Sequence, residues 1–159
     1  MDDDKRKEML TVEDVALKDV GGILEAMETV VHYESYTVTR NDKNLFSFRI
    51  RSLDDEEVDK CRDLATKTVK DRRYGSLAVP KDFNAAKFNS LMIYTATHPD
   101  DRKILWDNKD LWQRANITTG WQLVDKVLNR GEKEDVLALI ERLSGYNDGE
   151  STEDTLKNS

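Results

Sequence analysis

The spacing of apolar positions changes along the chain, and the changes predict where helices give way to strands. Residues 1–9 are mostly charged and read as a frayed arm. Thr11-Val12-Glu13-Asp14 resembles a capping box, so a short helix is expected to follow, with Val12, Val15 and Ala16 on one face. Gly21-Gly22 is expected to break or kink it, and Ile23, Leu24 and Met27 suggest a second short helical piece. From Val30 the period shortens. Val30 to Tyr33 and Tyr36 to Thr39 are rich in β-branched and aromatic residues, which fit a pleated surface. Asn41-Asp42-Lys43-Asn44 has turn composition. Phe46, Phe48 and Ile50 then alternate with Ser47, Arg49 and Arg51, a period of two with the apolar side inward. These features predict a hairpin over about residues 36–51, with the segment before it as a possible third strand.

The period lengthens again after Ser52, which is read as the cap of a helix over about residues 53–73. Its first turns carry Asp54, Asp55, Glu56, Glu57 and Asp59, and its last carry Lys67, Lys70, Arg72 and Arg73, the order that complements a helix dipole. Val58, Cys61, Leu64, Ala65 and Thr68 form its apolar stripe. Tyr74-Gly75 ends it and Pro80 keeps the linker extended. A helix over residues 84–97 follows, with Phe88, Leu91, Met92, Thr95 and Ala96 inward and His98-Pro99 as its stop. Short helices or turns are expected around Ile104-Leu105-Trp106 and Leu111-Trp112. Thr118 or Thr119 caps a helix over residues 120–129, striped by Trp121, Val124, Val127 and Leu128. Gly131 separates it from a last helix over 132–144, striped by Val136, Leu139, Ile140 and Leu143, with Gly145 at its end. A lone hairpin is not stable in water, so helices must cover it. The expected fold class is therefore α+β, a small antiparallel β-hairpin or three-stranded sheet packed against a mostly helical domain. The domain is expected over residues 10–146, with 147–159 as a disordered acidic tail.

Composition narrows the chemistry. The net charge of −7 repels phosphate, which disfavours nucleic acid as a partner of the whole molecule. No apolar run approaches the ~20 residues needed to span a bilayer, and Cys61 is the one cysteine, so a reducing cytoplasm is expected. His32 and His98 have no nearby cysteine, so neither a metal nor another cofactor is expected. Cys61 lies on an apolar stripe and reads as a core residue rather than a nucleophile. The Asp54–Glu57 run lacks the spacing and glycine of a calcium loop and reads as helix N-terminal charge. The basic cluster of Lys67, Lys70, Arg72, Arg73 and Lys81 reads as helix C-terminal charge rather than a phosphate site. Nothing here points to an enzyme. Three tryptophans are many for a chain that is 36% charged. Trp121 is expected in a core. Trp106 and Trp112, with Leu111 and Ile117, are the candidate partner-binding residues, because tryptophan is enriched where partners anchor.

Three stretches carry a resemblance to a known family. They are Leu10-Thr11-Val12-Glu13-Asp14-Val15, the run from Phe46 to Glu57, and Leu128-Asn129-Arg130-Gly131-Glu132 followed by Leu139 to Tyr146. In order and spacing the chain resembles the XkdN-like tail assembly chaperones of long-tailed phages and related prophages, over about residues 10–146. It departs from them where Asn129-Arg130 replace the leucine-proline pair before Gly131-Glu132. The resemblance implies a chaperone in the host cell cytoplasm, absent from the finished virion. Its expected partner is the phage tape measure protein, with the tail tube protein, a frameshifted longer form of itself and a homo-oligomer as further partners. Leu156-Lys157-Asn158 is where a slippery run of codons is expected. A structural head–tail or tail tube-associated protein is the alternative.

Overall fold

The computed structural model describes residues 20–28, 31–70, 73, 75 and 78–145. The chain divides into two units, Met1–Val31 and His32–Ser159. The expected arm over 1–9, the Thr11 capping box and the tail over 147–159 lie outside the described residues.

Of the first unit, one helix is described, α1 (Val20–Met27). It includes Gly21 and Gly22, which were expected to break or kink the helix after the Thr11 box, and that helix lies outside the described residues. Each glycine costs an interior helix position about 1 kcal/mol, a penalty rather than a stop when no positive φ is imposed. The helical piece expected around Ile23, Leu24 and Met27 is present.

The second unit opens with β1 (Glu34–Arg40) and β2 (Lys43–Ile50), an antiparallel pair. Asn41 and Asp42 take φ of +52° and +60°, so the two strands are joined by a tight two-residue turn of the primed kind. Only residues that tolerate left-handed backbone suit both positions, and Asn and Asp do. Among the described residues the expected third strand is absent: Glu34 already faces Ile50, the last residue of β2, and Val31 to Tyr33 run past that end unpaired with it. Ile50 instead bridges to Thr97, and His98 N–H donates to the Arg49 carbonyl at 2.9 Å.

The next helix, α2 (Asp55–Ala65), is capped by Asp54 and not by Ser52. Glu57 N–H donates to Asp54 Oδ1 at 2.8 Å, and Asp54 N–H to Glu57 Oε1 at 3.3 Å. The helix is also shorter than expected. At Thr66 the chain becomes β3 (Thr66–Lys70), paired with β4 (Ala78–Phe83). Thr66, Thr68 and Val69 are β-branched, and the pairing with a second β-prone run overrides the helical charge order. Lys67, Lys70 and Lys81, read as helix-end charge, therefore belong to a second hairpin. Pro80 lies within β4 rather than in a linker.

Five helices complete the unit: α3 (Ala85–Ala96), α4 (Pro99–Ile104), α5 (Lys109–Ala115), α6 (Gly120–Val127) and α7 (Arg130–Leu143). The class is α+β, as read from the sequence. Gly131 lies inside α7, whose cap is Asn129. The amide of Glu132 donates to Asn129 Oδ1 at 2.9 Å, and the amide of Asn129 donates to Glu132 Oε1 at 2.9 Å. The turn expected to suffer from the loss of proline is thus closed by a reciprocal box.

The core joins the β1–β2 face to the helices. Val38, Phe48, Ile50, Leu53, Ile93, Ala96, Trp106, Leu123, Val124, Leu128, Val136 and Ile140 form one buried cluster. Three arginines of the hairpin and its exit then clamp three helices. Arg40 forks onto Glu132 of α7 at 3.0 and 2.6 Å. Arg49 forks onto Asp101 of α4 at 3.0 Å for both contacts. Arg51 forks onto Glu57 of α2 at 2.8 and 2.6 Å. Bidentate guanidinium–carboxylate pairs fix geometry as well as adding attraction. Hydrogen bonds from the guanidinium hold each of the three carboxyls below the usual carboxylate range.

Candidate partner-binding surface

Trp106 and Trp112 mark the two ends of a short relay from core to surface. Thr97 Oγ1 donates to the Ile93 carbonyl at 2.7 Å, and Trp106 Nε1–H donates to Thr97 Oγ1 at 3.0 Å. The Trp106 ring is 1% exposed and meets Phe48 edge-on with centroids 5.3 Å apart. Its polar edge is satisfied and its faces are covered, so this indole belongs to the core and offers nothing to a partner in this fold. The Trp106 carbonyl in turn accepts Trp112 Nε1–H at 2.6 Å.

Trp112 sits on α5 and is half-buried. Asn108 caps that helix, accepting the amides of Asp110 and Leu111 at 3.1 and 3.3 Å. Asn116 ends it in the left-handed region, φ +57°, where asparagine is among the few residues at ease. That reversal returns Ile117 toward Trp112, and its N–H donates to the Trp112 carbonyl at 3.0 Å. One turn before the indole, Lys109 places its ammonium 3.5 Å from the ring centroid. Lys109, Trp112, Gln113, Asn116, Ile117 and Thr118 line an open groove of about 420 Å³. Beyond it, the Gln122 carboxamide oxygen accepts from the Thr118 and Thr119 amides at 3.0 and 3.1 Å and pins the loop to α6.

Of the four residues singled out from sequence, the structure brings Trp112 and Ile117 together in this groove and buries Trp106 behind it. Leu111 is 38% exposed and lies outside the lining. Lys109, Gln113, Asn116 and Thr118 were not anticipated. Lysine three places before a tryptophan on a helix was the available signal, since such positions share a face.

Elsewhere the structure holds the chemical candidates in structural positions. Cys61 is buried, its Sγ 3.7 Å from Thr95 Oγ1, and burial pushes its thiol up, away from a reactive thiolate. His98 caps α4, its Nδ1 accepting the Asp100 amide at 3.1 Å, and its ring meets Tyr33. Among the described residues no cluster of His, Cys, Asp and Glu could hold a metal ion, and no helix is long and apolar enough to cross a membrane. The groove has an aromatic wall in Trp112, an aliphatic wall in Ile117 and a cation in Lys109. Such a lining is chemically suited to an apolar side chain with polar neighbours.

No curated protein and no solved structure matches the chain. The sequence model of the phage XkdN-like tail assembly chaperone protein matches residues 22–157. The match spans every element from β1 to α7 and leaves out Leu10 to Val15, one of the three stretches that carry the resemblance. With most of its length matched, the chain belongs to the phage XkdN-like tail assembly chaperone family.

Proposed function

We propose that this tail assembly chaperone binds the tape measure protein, keeps it soluble and delivers it for tail tube polymerisation. It works by holding a partner, in the host cell cytoplasm, and leaves before the virion is complete. The physical need is that a long polypeptide with apolar helical faces aggregates if it is made before the tube encloses it. A chaperone that carries net charge of −7 lends solubility to whatever it coats. Many weak contacts, each holding one or two side chains, allow displacement as the tube protein advances. The observation that carries this reading is the Trp112–Ile117 groove. It is open to solvent, aromatic, and anchored to the core through one indole hydrogen bond, so little ordering cost falls on binding.

Co-expression with the tape measure protein tests the reading. The expected result is a soluble complex that purifies with this chain. A tape measure protein equally insoluble with and without it overturns the reading. The chain is expected to be missing from purified virions by mass spectrometry. Stoichiometric presence there favours a structural head–tail or tail tube-associated part instead. A longer form made by frameshifting at Leu156-Lys157-Asn158 belongs to the same proposal, and the codons at those positions decide it.

A further inference from the structure

The lining of the Trp112 groove is positive in a chain of net charge −7. Lys109 is its one charged residue, and the other residues that line it are neutral. Asp110 and Arg114 are not in the lining and offset each other. Their places on α5 explain this. They fall about 100° and 140° round the helix from Lys109, whereas Trp112 and Gln113 fall within about 60° of it. The negative end of α5 is neutralised too, because Lys126 Nζ donates to the Ala115 carbonyl at 2.7 Å. An acidic group entering the groove therefore meets an ammonium and no carboxylate of the lining.

Lys109 is also poorly placed for its own helix. It is the first residue of α5, where the dipole favours acids and opposes a cation. Its ammonium stands over the Trp112 ring instead, 3.5 Å from the centroid, a contact that is weak at an exposed site. A residue that breaks a local rule for a small return marks a place where another demand acts. Lys109 and Trp112 both line the groove, so the ammonium covers ring surface that an occupant needs. A purely apolar occupant displaces the cation and offers it nothing. An occupant with a carboxylate gives the cation an ion pair and frees the indole for an apolar side chain. We propose that the groove holds a helix that presents an apolar side chain with a carboxylate one turn away. The apolar side chain enters between Trp112 and Ile117, and the carboxylate takes Lys109. Positions three or four apart share a helix face, so one short segment supplies both groups. The inference rests on the tape measure reading for the identity of that helix, and it names which of the partner's segments this groove selects.

The test titrates the full chain with three synthetic helical peptides of equal length and follows the NMR signal of the Trp112 indole N–H. The first peptide carries leucine and glutamate four positions apart. The second has lysine in place of that glutamate, and the third has alanine in place of the leucine. The first is expected to shift the indole signal and to bind about fivefold tighter than the second, because the attraction of an exposed ion pair is exchanged for a repulsion of similar size. High salt narrows that gap. The third peptide binds more weakly than the first. Lys109→Glu is expected to reverse the preference between the first two peptides and to keep the thermal melt, since an acid suits the first turn of a helix. That reversal separates altered selection from lost folding. No indole shift with any peptide, or the same preference in both chains, overturns the proposal. A soluble complex on co-expression then still upholds the tape measure reading, whereas an insoluble tape measure protein beside the predicted peptide preference removes that reading and leaves the groove's selectivity in place.

Discussion

Trp106 and Trp112 are six positions apart and carry different loads. Removing the Trp106 ring leaves a cavity between Phe46, Phe48 and Thr97, so Trp106→Ala is expected to cost about 3–5 kcal/mol. A thermal melt checks this. Trp112→Ala is expected to keep a cooperative melt and lose capture of the tape measure protein, read by pull-down. Two glycines make a second contrast. A Cβ on Gly120 would stand 2.4 Å from Tyr94 Cε2 and 2.6 Å from Asp107 Oδ1, and the Tyr94 hydroxyl is itself held by Asp107 at 2.9 Å. Gly120→Ala therefore forces α3 and α6 apart, at about 1–3 kcal/mol. A Cβ on Gly131 meets nothing closer than Asn129 Oδ1 at 3.7 Å, so Gly131→Ala is expected to stabilise α7 by up to about 1 kcal/mol. Denaturant midpoints of the two variants should move in opposite directions.

At the scale of elements, the sequence was most legible where one local rule acted alone. The alternation of Phe46, Phe48 and Ile50 gave β2, and the apolar stripes of α6 and α7 gave two helices close to their observed ends. The misreadings lie where a distant partner overrode a local preference. Thr66 to Lys70 carry helix-end charge but pair with Ala78 to Phe83, a choice that only the fold reveals. The same holds for the three arginine forks, whose carboxylates lie 6 to 92 positions away in sequence. In the candidate site, Trp112 and Ile117 were legible as large apolar residues in a charged chain. Trp106 looked the same in sequence, and the difference is the Thr97 hydroxyl and the Phe48 ring that enclose it. Asn129 was misread as a weakened turn because its reciprocal bonding with Glu132 needs the backbone to be seen. Replacing it with alanine is expected to cost about 1 kcal/mol and to lower the melting temperature, the usual effect of losing an N-cap.

The whole molecule is a small core tied to its surface by paired charge, and that makes it sensitive to acid. Glu57, Asp101 and Glu132 titrate lower in the folded state than in the unfolded chain, because arginine hydrogen bonds hold them charged. Their contribution is complete above the unfolded carboxylate range, near about pH 4, and is lost as the pH falls through the depressed values. The urea midpoint is expected to fall as the pH drops below the unfolded carboxylate range. Arg49→Gln lowers the midpoint at neutral pH and flattens that drop, whereas a midpoint independent of pH contradicts the coupling. In the function proposed above, the second unit presents the Trp112 groove to a much larger partner. Hydrogen exchange on the chain, alone and in complex with the tape measure protein, tests this most directly. Slower exchange of amides in Lys109 to Thr118, with the β1–β2 hairpin unchanged, is the predicted result. A complex that leaves those amides as fast as in the free chain contradicts it.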